Sequence, residues 1–154
     1  MAIYNSGIQQ IGIGVVNADE AWKWYKEYFN TDIVMIDEYA KAEYMLPYTG
    51  NQVCDRHTIL AVSLQGGGGF EIWEHRSHTP TYPDFTLKPG DLGIYACKIK
   101  CKNISQAYHF YKQKKVELSP MYTAVTGNAY FYVKDLYGNV FQIMNGTAFF
   151  RVGI

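Results

Sequence analysis

The sequence predicts an α+β protein built from two copies of one βαβββ unit. The segment IGIGVVNADEAWKWYKEY around Trp24 is echoed by CKIKCKNISQAYHFYKQK around Phe110, at a shift of 110 − 24 = 86 residues. A second echo joins FEI at 70–72 to FQI at 141–143, at a shift of 141 − 70 = 71 residues. Apolar residues recur with a period of two in segments that flank helix-like patterns. We therefore expect two similar modules that share one architecture.

The repeat also sets the expected domain organisation. A chain of 154 residues is of the size of one compact domain. We expect a single domain over residues 1–154, made of repeat modules 8–76 and 91–145. The stretch His78–Gly90 carries three prolines and is predicted to link the modules.

The elements of the first module follow from its apolar pattern. Ile8–Val16 alternates between apolar and small or polar residues, which indicates a half-buried strand. Asn17 then offers a helix start, and the apolar stripe predicts a helix over Ala18–Phe29. Ala40–Leu46 fits a strand or a helix. The remaining predicted elements are strands at Ile33–Ile36, His57–Leu64 and Phe70–His75, a loop at Pro47–Asp55 and a hairpin turn at Gly66–Gly69.

The second module repeats this order. We expect a helix over Ile104–Lys114, and a turn over Asp135–Asn139 in which Gly138 and Asn139 supply positive φ. The predicted strands are Leu92–Cys101, Val116–Val125, Ala129–Val133 and Val140–Met144.

Composition and cysteine content limit the binding partners and the cellular compartment that we expect. The 14 basic and 14 acidic residues balance, so no basic patch indicates a nucleic-acid partner. No run approaches the roughly 20 apolar residues of a membrane span, and no membrane partner is expected. Cys97 and Cys101 would lie about 13 Å apart on one strand, too far for a disulfide. With no signal-like start, we expect three reduced thiols in a cytoplasmic protein.

Strand parity predicts a polar face that could hold a ligand. The apolar positions of four strands should pack under the helices, while the opposite positions are polar or small. This opposite set favours a cup with an aromatic and polar lining. Its expected members are Gln10, Glu71, Trp73, Lys98 and Gln142. The alternative is the solvated outer face of an ordinary sheet.

Three motifs carry a resemblance to a known superfamily. QIGIGVVNADEAWKWY, GGGFEIWE and DLYGNVFQI recur at both ends of the chain, over nearly all of it. The chain resembles the vicinal oxygen chelate superfamily, which includes glyoxalase I, extradiol dioxygenases and bleomycin-resistance proteins. The resemblance implies a glyoxalase-like cupped mixed sheet with helices on its outer face. It does not by itself assign a chemistry, because one fold hosts many.

The same resemblance places the superfamily's metal positions on Gln10, Glu71, Ala96 and Gln142. Alanine has no donor atom at the position where a histidine is expected. Gln142 stands where a glutamate is common. One carboxylate with two amides is a poor site for a divalent cation. We therefore expect neither a metal nor another cofactor, and a divalent metal is the alternative.

These observations leave three hypotheses for function. The first is a protein that binds a small molecule in an aromatic-lined cup, oriented by Gln10, Trp73, Lys98, Gln142 and His75. The second is a glyoxalase-like lyase or isomerase, or a dioxygenase-related enzyme, in which Glu71 is the general base or a metal ligand.

The third hypothesis is an assembly module of a longer protein. Its apolar C-terminal segment, with Phe149 and Phe150, would join it to a second copy in a homodimer or to additional domains. Lys98 is expected either to neutralise Glu71 or to reach solvent on its long stem.

Overall fold

The computed structural model describes residues 8–65 and 68–145. The chain forms two compact units, Met1–Pro83 and Asp84–Ile154. The boundary falls within the linker that the prolines predict, and each predicted module lies in one unit.

The first unit is a four-stranded mixed sheet with one α-helix. Its strand order is β1-β4-β3-β2, with β1 parallel to β4 and the other neighbours antiparallel. The elements are β1 Gln10–Val15, α1 Ala18–Phe29, β2 Ile33–Lys41, a 3₁₀ helix Glu43–Tyr48, β3 Asp55–Ser63 and β4 Gly68–His75. The ambiguous segment before Pro47 is therefore the end of a strand followed by a 3₁₀ helix.

Helix α1 covers one face of this sheet. Asn17 caps it by accepting the Glu20 N–H at 3.0 Å, and Asn30 ends it in the left-handed conformation with φ 59°. Its buried stripe includes Tyr25, whose ring stacks on Phe70 of β4 at 4.9 Å. The Phe70 side of β4 is therefore the core side, and the neighbouring residue Glu71 points to the opposite face.

The second unit repeats this arrangement. Its strand order is β5-β8-β7-β6, and β5 is again parallel to the last strand. The elements are β5 Ala96–Cys101, α2 Ile104–Gln113, β6 Tyr122–Thr123, β7 Ala129–Lys134 and β8 Val140–Asn145. Tyr111 of α2 packs on Phe131 of β7, which marks the core side of this sheet. The predicted α+β class with two βαβββ modules is confirmed.

The two units agree in strand register as well as in element order. Gly12 lies opposite Glu71 in the first unit, and Lys98 lies opposite Gln142 in the second. These pairs are related by the shifts found in the sequence, 98 − 12 = 86 and 142 − 71 = 71. The helix caps match too, because Asn103 accepts the Gln106 N–H at 3.0 Å.

Several predicted boundaries were wrong. The expected strand Val116–Val125 is reduced to β6 and a single bridge between Leu118 and Val133. Pro120 has no N–H to donate, and the Ser119 hydroxyl accepts the Tyr132 N–H at 2.9 Å in place of a carbonyl. The first strand of the second module begins at Ala96 rather than at residue 92.

The glycine turns also differ from expectation. Gly68 and Gly69 belong to β4, and a Cβ at Gly69 would lie 2.4 Å from the Ala61 carbonyl oxygen. In the turn before β8, Gly138 has a positive φ of 84° whereas Asn139 does not. Gly66 and Gly67 of the predicted turn lie outside the described residues. The apolar C-terminal segment, 147–154, also lies outside them. Among the described helices, none has the length and apolar character needed to cross a membrane.

Candidate functional site

The face of the first sheet that points away from α1 carries most of the predicted site, and we call it the Glu71 face. Two cross-strand rows form its centre. One row is Gly12, Glu71, Leu60 and Ile36, and the next is Gly14, Trp73, Thr58 and Glu38. Each row takes one residue from each of the four strands, so side chains distant in sequence become neighbours.

The carboxylate of Glu71 is held from two sides. Trp73 donates its indole N–H to Oε1 at 2.8 Å, and the Gln10 amide donates to Oε2 at 2.9 Å. The strand pleat places Glu71 and Trp73 on one face, two residues apart. Because an indole nitrogen can only donate, the direction of this bond is fixed. Glu71 is half-buried, and these two hydrogen bonds orient its carboxylate.

Two glycines leave the space beside this carboxylate empty. Gly12 lies opposite Glu71, and Gly14 lies opposite Trp73. A Cβ built on either glycine would meet no atom within 4 Å. The alternation of glycine with apolar residues in β1 therefore removes side chains from the Glu71 face while it keeps the core side filled.

Arg56 and Thr58 belong to this face and were missed by the sequence reasoning. The Arg56 guanidinium lies over the Trp73 ring at 5.0 Å and pairs with Glu38 at 2.5 Å. It also donates to the hydroxyl of Thr58, which is buried. Strand parity alone would put both residues on one face of β3. Their position beside Trp73 depends on the register between β3 and β4.

The histidines divide between the two faces. His75 lies on the Glu71 face, with its ring 5.8 Å from Trp73 and stacked on His78 at 5.1 Å. Its Nδ1 is buried and has no hydrogen-bond partner among the described residues. His57 is buried on the core side, where Nε2 lies 2.8 Å from Asp37 and Nδ1 lies 3.8 Å from Glu74. His109 is exposed on α2.

The second unit has a corresponding face, which we call the Lys98 face. Lys98, Gln142 and Tyr132 form one cross-strand row, and Lys100, Met144, Tyr130 and Tyr122 form the next. The Gln142 amide donates to the Tyr132 hydroxyl at 3.4 Å. Lys98 is exposed. Its predicted pairing with Glu71 stays a prediction, because the two residues belong to different units.

Three tyrosine rings contact one another on the Lys98 face. The ring centroids of Tyr130 and Tyr132 are 5.7 Å apart, and Tyr122 lies 5.6 Å from Tyr130 and 6.5 Å from Tyr132. Burial raises the pKa of Tyr132 above its ordinary value, and the charges of Tyr130, Tyr95 and Tyr122 raise it further. The Tyr132 hydroxyl therefore stays a neutral donor at physiological pH.

Cys97 and Cys101 are not activated nucleophiles. Burial raises the pKa of the Cys97 thiol. Burial also raises the pKa of Cys101, against a smaller lowering by a backbone hydrogen bond with Asn103. Both thiols are therefore protonated at neutral pH. Cys54 is buried, and none of the three cysteines forms a disulfide bond.

The donors around Glu71 fit a divalent cation poorly. Both carboxylate oxygens accept hydrogen bonds from N–H groups. A cation there would be repelled by the partial positive charge on the two N–H hydrogens. Ala96, in the second unit, supplies no donor atom. No group of three His, Cys, Asp or Glu side chains with metal-binding geometry occurs in residues 8–65 and 68–145.

A shallow depression of about 370 Å³ lies elsewhere, along α2. It is lined by Ser105, Gln106, His109, Phe110 and Gln113. None of these is a candidate residue, and the depression lies on the outer surface of a single helix. We therefore place the site on the sheet faces, where polar side chains converge.

The structure thus gathers four of the predicted site residues in the first unit, namely Gln10, Glu71, Trp73 and His75. The other two, Lys98 and Gln142, are direct neighbours in the second unit. Sequence reasoning did not single out Arg56, Thr58 or the three tyrosines. The signal for the tyrosines was present, because Tyr130 and Tyr132 alternate with the apolar residues of β7.

Comparison with family models and with curated protein sequences found no match. Solved structures do match. A glyoxalase family protein from Bacillus cereus superposes with a TM-score of 0.73 at 14% identity, over 94% of this chain and 97% of that chain. A glyoxylase/bleomycin resistance protein/dioxygenase domain from Frankia sp. gives a TM-score of 0.64 at 11% identity, over 96% of each chain.

A third match is a lactoylglutathione lyase from Agrobacterium tumefaciens, with a TM-score of 0.61 at 11% identity over 95% of this chain and 98% of that chain. In all three cases the superposition covers nearly the whole length of this chain and of the matched chain. At such low identity the likeness concerns the fold, and it agrees with the motifs in the sequence. The chain has the fold of the vicinal oxygen chelate superfamily.

Proposed function

We propose that this protein binds a small organic molecule on the Glu71 face, with Glu71 as the acceptor of the ligand's N–H groups and without a resident metal. The observation that carries this proposal is the carboxylate of Glu71, fixed by Gln10 and Trp73 beside space that two glycines leave empty. A fixed acceptor next to free space is an arrangement suited to orienting a ligand.

The remaining acceptor capacity of Glu71 supports this role. A carboxylate has about four lone-pair sites, of which Gln10 and Trp73 occupy two. About two sites therefore stay available to a ligand that enters over Gly12 and Gly14. Because the carboxylate is already oriented, binding orders little of the protein, which lowers the entropic cost.

The charges on the Glu71 face favour a ligand that carries positive charge. Arg56 is already paired with Glu38, and within the described part of the first unit no cationic side chain pairs with Glu71. Hydrogen bonds between a charged donor and a carboxylate are roughly twice as strong as neutral ones. An aromatic amidine or amine combines such donors with a flat ring that can lie near Trp73.

The contacts of Glu71 support binding, because they orient an acceptor, and none of the described contacts places a substrate proton beside it. General-base catalysis would need one of the remaining lone pairs to be directed at the proton that is removed. A lyase activity like that named for the Agrobacterium tumefaciens protein is supported by the fold alone.

Nuclear magnetic resonance of ¹⁵N-labelled protein tests this proposal. We expect benzamidine to shift the indole N–H resonance of Trp73, assigned with Trp73→Phe, because the ligand shares its acceptor. At roughly 0.4 kcal/mol for each of its non-hydrogen atoms, the dissociation constant is in the low millimolar range. Benzamide is the neutral control and should bind more weakly. A Glu71→Gln variant that binds benzamidine as well as the wild type would contradict the proposal.

Removal of metal gives a second test. We expect EDTA to leave the benzamidine titration unchanged, since the proposed contacts need no cation. Elemental analysis of the purified protein is the matching measurement. Stoichiometric zinc, nickel or iron that disappears in Glu71→Ala would show that the carboxylate is a metal ligand.

A further inference from the structure

We infer that the outer edge of β2 is an interaction surface for a second copy of this chain. The second copy adds its own β2 in antiparallel orientation, with Tyr39 opposite Tyr39. This inference goes beyond the proposal for Glu71, because it concerns the backbone edge of the first sheet rather than a ligand.

Strand β2 lies at the edge of the first sheet and is largely exposed. In the strand order β1-β4-β3-β2 it has a neighbour on one side only. Seven of its nine residues are exposed, and they include apolar side chains such as Met35 and Tyr39. An exposed edge strand presents unpaired N–H and C=O groups, which can pair with another chain.

The hydrogen bonds of β3 show which backbone groups of β2 are unpaired. The carbonyl of Cys54, just before β3, accepts the Ala42 N–H at 2.8 Å on the β2 side. The carbonyl of Asp55 accepts the Arg76 N–H at 2.9 Å on the β4 side. Because successive backbone groups of a strand point to opposite neighbours, the even-numbered residues of β3 face β2 and the odd-numbered residues face β4.

The register between β2 and β3 transfers this pattern to the edge. Glu38 and Ala40 lie opposite even-numbered residues of β3, so their backbone groups bond to β3. Asp37, Tyr39 and Lys41 lie opposite odd-numbered residues, so their N–H and C=O groups point away from the sheet. These three residues are the ones that can pair with an added strand.

A bulge limits where the added strand can lie. The register shifts between Val34 and Ile36, which interrupts regular pairing in the first half of β2. The register is continuous from Ile36 to Lys41. We therefore place the added strand along this second half.

Charge selects both the occupant and its register. With a two-fold axis at Tyr39, Asp37 of each copy lies opposite Lys41 of the other, which gives two cross-strand ion pairs. An axis at Asp37, Glu38 or Lys41 would place like charges opposite each other. An axis at Ala40 would form no ion pair. The strand is thus complementary to itself in one register, as a symmetric interface between two copies requires.

The side chains at this edge are compatible with the pairing. The Tyr39 ring is held by stacking on His57 at 4.0 Å and by the Arg76 guanidinium, 5.0 Å from its centroid. Asp37 contacts His57 through Oδ1, yet its side chain is 52% exposed and can accept a second donor. Lys41 takes part in no ion pair with another described residue.

Analytical ultracentrifugation over a series of protein concentrations tests the inference. We expect the wild type to form a dimer that dissociates on dilution. Lys41→Glu places a new carboxylate opposite Asp37 at both ends of the pairing, and it should raise the dissociation constant at least about tenfold. Lys23→Glu makes the same change of charge at an exposed position of α1 and should change this constant less than about twofold.

A mixture of two variants tests the register. Asp37→Lys alone sets lysines opposite each other and should weaken the dimer. When Asp37→Lys is mixed with Lys41→Glu, both cross-strand pairs again join opposite charges, so a heterodimer should form about as tightly as the wild-type dimer. Circular dichroism shows whether each variant is folded, because Asp37→Lys removes an acceptor of His57.

Hydrogen exchange of the ¹⁵N-labelled protein tests whether the two strands pair through their backbones. We expect the amides of Asp37, Tyr39 and Lys41 to be protected in the wild type and to exchange rapidly in Lys41→Glu at the same concentration. The amides of Glu38 and Ala40 should be protected in both proteins, since they bond to β3.

Four results would overturn the inference. They are a wild type that stays monomeric at the concentration of the nuclear magnetic resonance sample, a Lys41→Glu protein that dimerises as well as the wild type, a mixture of the two folded variants that forms no heterodimer, and a dimer in which the amide of Tyr39 exchanges freely. None of these results would bear on benzamidine binding at Glu71.

Discussion

Two glutamates on β4, three residues apart, point to opposite faces of the first sheet. Glu74 points to the core side, where it accepts the Ala18 N–H at 3.0 Å at the start of α1. It also lies close to buried His57 and to Arg76. Glu71 points to the opposite face, where it accepts hydrogen bonds from Gln10 and Trp73. Glu74 therefore stabilises the start of α1, whereas Glu71 is the acceptor that we propose for a ligand.

We expect Glu74→Ala to destabilise the protein by about 1–3 kcal/mol, because it leaves the Ala18 N–H at the start of α1 without its acceptor. Glu71→Ala is the matched control and should cost less than about 1 kcal/mol, since the amide of Gln10 can turn to water. Urea unfolding of both variants measures the difference. Equal losses of stability would show that the two faces are equally structural.

A second prediction concerns Tyr132, whose pKa is raised in the folded protein. A group with a raised folded pKa binds its proton more tightly when folded. Its stabilising contribution is therefore complete below the unfolded value near 10 and is lost as pH rises through the folded value. We expect the free energy of unfolding to fall more between about pH 9 and about pH 11 in the wild type than in Tyr132→Phe. Parallel falls in the two proteins would contradict the burial of this hydroxyl.

Elements were predicted best where capping residues mark their ends. Helix α1 begins and ends at the predicted residues, because Asn17 and Asn30 each have a side chain suited to its cap. The prediction of a continuous strand around Pro120 was wrong. Apolar content alone does not show where a partner strand can donate and accept backbone hydrogen bonds. The faces of strands followed from parity, whereas the neighbours across strands depended on register and loop length.

The paired caps give a prediction at this scale. Asn17→Ala should lower the free energy of unfolding by about 1 kcal/mol, because the Glu20 N–H loses its acceptor. Asn17→Asp keeps an acceptor oxygen and should cost much less. Chemical denaturation followed by circular dichroism measures both. A loss as large in the aspartate variant would show that the cap does not act through this hydrogen bond.

At the scale of the whole molecule, the question is whether the two units fold together. Single chains of the solved glyoxalase family cover nearly all of this chain, so both units correspond to one such protein. The three tryptophans, Trp22, Trp24 and Trp73, all lie in the first unit. Their fluorescence therefore reports on that unit, whereas far-ultraviolet circular dichroism reports on both.

We expect the two signals to give coincident transitions in urea, as a single domain of this size usually unfolds in one step. A tryptophan transition displaced from the dichroism transition would show that the units unfold separately. The midpoint of each signal, measured on the same samples, decides between these outcomes.

The contrast between Gly12 and Gly14 in one unit and Lys98 and Lys100 in the other has an evolutionary meaning. These are the same positions of a duplicated strand, since each pair is separated by 86 residues, from 98 − 12 and 100 − 14. A lysine at Gly12 would begin in free space, because a Cβ there meets no atom within 4 Å. Each unit thus has two positions on its first strand at which a substitution can change the charge of a sheet face while the core stays unchanged. Exchanging glycine for lysine between the copies would alter the charge of these faces without a change of fold.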